Sequence, residues 1–234
     1  MPQLEVFSRW DSQRSRPKII AFANQKGGSG KSTGAIHAVD WFLKSNYSAL
    51  LVDADGQQSS SGWAKELEIE HRVISDPEQL FDQLPKLSQD YDVIVVDGPG
   101  NASEVTKAIL IRSDLVLIPC RDSMIDLSST GKIMQFIRQA QEIRQGAPIG
   151  VTYLNAVKEN TVLLREAREA LQQGLMPLLD VAMPDRQCIK DAPGQASTVF
   201  RMRGAPCKSA AKLYATLFTE ALELYEQSQG SSKV

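Results

Sequence analysis

Six short apolar runs punctuate the chain without alternation: IIAFA at 19–23, ALLVD at 49–53, DVIVVD at 92–97, LVLIP at 115–119, IGVTYL at 149–154 and LLDVAM at 178–183. A strand with one buried face alternates apolar and polar positions. A parallel strand covered on both faces instead reads as a continuous, β-branched run of this length. The intervening stretches are long enough for crossover helices, predicted over 33–44, 102–112, 126–144, 161–173 and 208–226. Strand and helix in alternation imply right-handed βαβ units. The pattern therefore predicts an α/β fold, a mostly parallel twisted sheet flanked by helices on both faces, with its ligand crevice at the C-terminal strand ends.

The first run leads directly into NQKGGSGKST, residues 24–33, and then into the first predicted helix. Strand, glycine-rich loop and helix in that order are the setting of a phosphate-binding loop, so the fold is expected to be that of a P-loop NTPase. Gly27, Gly28 and Gly30, with Ser29 among them, let backbone N–H groups turn inward around phosphate oxygens. The following helix aims its positive end at the same place. Lys31 is expected on the β- and γ-phosphates, Ser32 on Mg²⁺ and Thr33 near the α-phosphate. Gln25 stands where the ordinary pattern has its first glycine, and a second lysine, Lys26, follows it at once.

KGGSGKST resembles the deviant Walker A box of the ParA/MinD family of ATPases. ALLVDADGQQSS resembles that family's switch I segment, YDVIVVDGPG its Walker B strand and switch II, and SDLVLIPCRDSMIDLSST its next strand and the segment after it. The resemblance runs from about Lys18 to Leu224. It implies that Lys26 reaches the nucleotide of a partner protomer in an ATP-sandwich homodimer, a contribution in trans comparable in logic to an arginine finger. It further implies that Asp53 and Asp97, at strand ends, serve Mg²⁺ and that Asp55 orients the attacking water. Asn155, Pro184 and Asp185 are expected on the adenine side; NAVK after the fifth run is not a guanine-reading motif, which favours ATP. Two positions depart from the family's habit. Gly56 replaces the usual proline of switch I, and Gly98 stands where threonine is common, leaving the hydrolysis rate open.

At 234 residues with 42% hydrophobic content, the chain can bury the core of one domain. A single ATPase domain is expected over 18–227, with mobile polar ends at 1–17 and 228–234. No stretch approaches the roughly 18 consecutive apolar residues of a membrane span, and the N-terminus lacks a signal-peptide apolar run, so a cytoplasmic protein is expected. Cys120, Cys188 and Cys207 form no C-x-x-C pair and read as free thiols. The net charge of −2 permits only a local basic patch. Between 186 and 212 lie Arg186, Lys190, Arg201, Arg203, Lys208 and Lys212 against the single acid Asp191. The resemblance assigns such a region to nonspecific DNA, bound through phosphates, and hence to the nucleoid. The MinD-like alternative, a membrane-patterning ATPase, needs a basic C-terminal amphipathic helix, whereas this end carries Glu220, Glu223 and Glu226. A metal-delivery relative needs cysteines near switch II, and DGPGNASEV has none. The expected role is that of a short ParA-type ATPase that partitions or positions a cargo such as a plasmid, chromosome origin or carboxysome, with a ParB-like or other cargo adaptor stimulating hydrolysis.

Overall fold

The computed structural model describes residues 16–101 and 103–231. Among these residues seven strands form one sheet: β1 (Ile19–Phe22), β2 (Ala49–Asp53), β3 (His71–Val73), β4 (Val93–Asp97), β5 (Leu115–Cys120), β6 (Ile149–Val157) and β7 (Leu178–Pro184). Their order is β3-β2-β4-β1-β5-β6-β7, and every pairing is parallel. Among the described residues eight α-helices accompany them, with a short 3-10 turn at Pro193–Gln195: α1 (Lys31–Lys44), α2 (Ser59–Glu66), α3 (Pro77–Asp90), α4 (Glu104–Arg112), α5 (Met124–Arg144), α6 (Val162–Gln172), α7 (Gln187–Asp191) and α8 (Ala205–Ser231).

Successive strand side chains point to opposite faces, so one apolar run feeds two cores. Ile20, Phe22, Leu51, Val93, Val95, Leu115 and Leu117 meet α1, α2 and α8 on one face. Ile19, Ala21, Leu50, Val52, Ile94, Val96, Val116 and Ile118 meet α3 to α6 on the other. All six expected strands are present, and the sheet is wholly parallel. The seventh, β3, is a three-residue edge strand, HRV, largely exposed and without an apolar run to betray it. Helix α3 begins behind Asp76, whose side chain accepts from the Gln79 N–H at 2.8 Å, with Pro77 in the first turn.

Residues 1–15 lie outside the described residues, but Pro17 is already buried and the Arg16 guanidinium sits 4.9 Å above the Tyr47 ring. At the other end α8 continues through 228 to Ser231, because Ala221, Leu222 and Tyr225 keep its inner face in the core. Cys120, Cys188 and Cys207 are buried thiols that form no disulfide.

Candidate functional site

The phosphate-loop strand, β1, is central, between β4 and β5, so its C-terminal end opens between two neighbouring strand ends. The loop is pinned from inside. Asn24 donates through Nδ2 to the Pro119 carbonyl at 2.6 Å and accepts from the Lys26 N–H at 3.1 Å. Gly28 and Gly30 adopt φ of 73° and 102°, the left-handed region that glycine tolerates. Gly30 precedes α1 without any side-chain cap, and the first turn carries no acid. The helix's first N–H groups are therefore left for an anion.

Lys31 is buried, with Nζ donating to the Lys26 carbonyl at 3.3 Å. Burial lowers its pKa, and the nearby Asp97 and Asp55 carboxylates oppose that effect. Lys26 is half-buried at the rim. Switch II runs past the same loop: a Cβ on Gly100 would stand 3.6 Å from Gly27 and 3.7 Å from Lys31 Nζ. A Cβ on Gly98 would meet the Phe22 carbonyl oxygen at 2.9 Å, so this backbone course has no room for the threonine that is common there. A Cβ on Gly56 would enter open space, so sterics do not account for the missing switch I proline.

The two strand-end aspartates are direct neighbours in the β2/β4 register, Asp53 beside Asp97, yet they are engaged very differently. Asp53 accepts from the Asp55 N–H at 3.1 Å and the Ser61 N–H at 2.8 Å, so both its oxygens anchor the switch I loop and the start of α2. Asp97 is fully buried with no hydrogen-bond partner on either oxygen. Burial raises its carboxyl pKa to about 6, against the pull of the adjacent Ser32 and Ser60 hydroxyls. A buried carboxylate without a partner is costly unless something satisfies it. A divalent cation held between Asp97, Ser32 and nucleotide phosphates would do so, and the donor set fits the oxygen-only preference of Mg²⁺. No group of three or more His, Cys, Asp or Glu side chains forms a metal cage among the described residues. Asp55 lies half-buried on its loop, accepting from the Gln57 N–H at 3.1 Å.

On the far side of the loop lies a cavity of about 290 Å³. Gly28, Gly30 and Thr33 line it from one side, Asn155, Pro184 and Asp185 from the other. Asn155 reaches it because β6 is irregular there, with Ala156 at φ 52° and a register shift against β7. Its Nδ2 donates to the Ser29 carbonyl at 2.7 Å, and a Cβ on Gly30 would stand 2.1 Å from the same nitrogen. Arg121, just past β5, also lines the cavity and escaped the sequence reading; its signal was its position beside the phosphate-loop strand. A wider groove of about 630 Å³ between α3 and α4, lined by Phe81 and Ile111, holds none of these groups. The phosphate chemistry, not cavity size, locates the site.

The six expected DNA residues do not form one surface. Arg186 and Lys190 line the nucleotide cavity, and both are paired, Arg186 with Glu159 at 3.1 Å and Lys190 with Asp185 at 2.6 Å. Arg201 turns inward. Its Nε and Nη2 donate to Asp40 Oδ1 at 2.9 and 2.7 Å, and its Nη1 donates to the Leu67 carbonyl at 3.0 Å. Asp40 is on α1, is almost wholly buried and also accepts from the Thr198 hydroxyl. Arg201 is thus framework, because its planar fork is consumed by a buried carboxylate. Arg203, Lys208 and Lys212 remain exposed, the two lysines one turn apart on α8.

The same segment braces the phosphate-loop helix. His37 is wholly buried, and burial drives its pKa down to about 4, so it is neutral near pH 7. Its Nδ1 faces the Thr33 carbonyl at 2.7 Å and its Nε2 accepts from the Val199 N–H at 3.2 Å, which sets the tautomer with the proton on Nδ1. The ring stacks on Tyr214 of α8 at 4.4 Å.

Other proteins are similar to this chain in sequence or in fold. The maintenance of carboxysome distribution protein A of Halothiobacillus neapolitanus is 27% identical over 198 residues, which cover 82% of this chain and 90% of that one. The septum site-determining protein MinD from Pyrococcus horikoshii, solved with Mg-ADP, superposes with a TM-score of 0.69 at 17% identity, covering 90% of this chain and 98% of that one. An ATP complex of McdA from Cyanothece gives a TM-score of 0.67 at 14% identity, over 92% and 97% of the two chains. The CobQ/CobB/MinD/ParA nucleotide-binding domain profile matches residues 20–199, and this chain belongs to that family.

Proposed function

We propose that this protein is a Mg²⁺-dependent ATPase of the ParA type that positions a cargo inside the cell. One observation carries the reading: a glycine-rich loop holding two lysines, Lys26 and Lys31, faces a buried strand-end carboxylate, Asp97, that lacks a partner. The loop and α1 receive the phosphates, Lys31 neutralises them, and Asn155, Pro184 and Asp185 close the adenine side. Mg²⁺ supplies charge neutralisation on the phosphates; Ser32 and Asp97 would hold it, while Asp53 fixes the loop that carries Asp55. Asp55 orients the attacking water. Lys26 completes the site of a second copy, so ATP binding and dimerisation are one equilibrium. The dimer holds DNA nonspecifically through Arg203, Lys208 and Lys212, and a cargo-bound adaptor stimulates hydrolysis and releases it. The 27% identity to a carboxysome distribution protein supports a positioning role.

Light scattering with ATP, in the Asp55→Ala variant to block turnover, should report a dimer retained on nonspecific DNA. Lys26→Ala should bind ATP as a monomer. A nucleotide-independent monomer on every variant, or capture by anionic liposomes in place of DNA, would overturn the reading.

A further inference from the structure

Ser60 lies in the first turn of α2, fully buried, and its hydroxyl has no hydrogen-bond partner. It stands against the Asp97 carboxylate, whose two oxygens are equally unsatisfied, without completing a bond to it. Two unsatisfied polar groups side by side in a dry interior form an incomplete site rather than a packed core. The neighbouring residue explains why Ser60 is there: the Ser61 N–H is fastened to Asp53 at the end of β2, which sets the start of α2 beside Asp97 at the end of the neighbouring strand β4. Each Asp53 oxygen already holds one backbone N–H, whereas Asp97 and Ser60 hold none, so this pair is the one left wholly open to a ligand.

We propose that Ser60 is a positioning residue of the Mg²⁺ site. Its hydroxyl donates to one Asp97 oxygen and turns the other toward the cation, so that occupancy of the metal site seats α2, and with it switch I, against the sheet. The inference rests on the nucleotide reading above and adds a residue to it.

Ser60→Ala separates this role from a structural one, because removing an unsatisfied buried hydroxyl relieves the nucleotide-free protein while weakening the loaded one. Calorimetric titration of Mg²⁺ into the ADP complex should show affinity reduced about tenfold, the effect of one hydrogen bond to a charged group. ADP affinity in EDTA should stay within about twofold of the unmodified chain, and the nucleotide-free melting temperature should hold or rise. On an Asp97→Asn background, Ser60→Ala should cause no further loss of Mg²⁺ affinity. Unchanged Mg²⁺ affinity, or a lowered nucleotide-free melting temperature with equal losses in EDTA, would overturn the proposal while leaving the nucleotide reading intact. If the unmodified chain gained no nucleotide affinity from Mg²⁺, both would fall together.

Discussion

Replacing Arg201 by methionine keeps the apolar stem and removes the guanidinium, which makes it a direct test of whether this arginine belongs to the framework or to a ligand surface. Three hydrogen bonds disappear, two of them to a carboxylate whose side chain is 1% exposed while that of Arg201 is 34% exposed. Asp40 then keeps, among the described residues, the Thr198 hydroxyl as its side-chain donor. Breaking a fully buried pair costs about 3–5 kcal/mol because the remaining charge is stranded. With Arg201 one-third exposed, water reaches its side of the pair, and the low end, about 3 kcal/mol, is expected. For a chain of this size that is a fall of about 6–12 °C in melting temperature. Thermal and urea denaturation of Arg201→Met, Asp40→Asn and the double variant form a cycle in which the double variant loses less than the sum, by at least about 1 kcal/mol. A loss below about 1 kcal/mol in Arg201→Met, together with a selective drop in DNA retention, would refute the framework assignment and return Arg201 to the ligand surface.

The exposed basic residues make the opposite prediction: Arg203→Glu with Lys208→Glu should abolish retention on nonspecific DNA and leave the melting temperature within about 1 °C, since neither side chain is buried. Gly30→Ala should lose nucleotide binding and about 2 kcal/mol or more of stability, measured by fluorescent-nucleotide titration and urea denaturation, because a φ of 102° and a Cβ at 2.1 Å from Asn155 Nδ2 oppose it together. Asp97 sets a pH dependence. Its folded pKa, raised from 3.8 to about 6, means the native chain keeps a proton that the unfolded chain releases. Stability therefore falls as pH rises from about 4 to about 6, by about 3 kcal/mol in all, and then levels. Asp97→Asn should gain on the unmodified protein across that window in nucleotide-free denaturation. Mg²⁺ affinity of the unmodified protein should weaken below about pH 6, where the proton competes, and a flat titration would count against both statements.

Much of this molecule was legible along the chain because the relevant physics is local. A doubly covered strand must be apolar at every position, so the five runs that became interior strands, joined by the edge run of β7, announced a two-layered parallel sheet, and the glycines of 27–30 between a strand and a helix announced a phosphate loop. What escaped was of two kinds. Short edge β3 carries little burial, and α3 was signalled by Asp76 and Pro77, a cap that apolar runs do not report. The second kind is pairing across the fold. Charge counted along 186–212 grouped six basic residues as one surface, but Arg201 meets Asp40 from 161 positions away. Lys190 meets Asp185 beside the nucleotide cavity, and Asp53 and Asp97, alike in sequence as strand-end aspartates, part company because backbone amides of α2 reach only one of them. Backbone conformation follows from neighbours in the chain; which cation meets which carboxylate, and which buried carboxylate has no hydrogen-bond partner, depends on how distant segments dock in the folded domain.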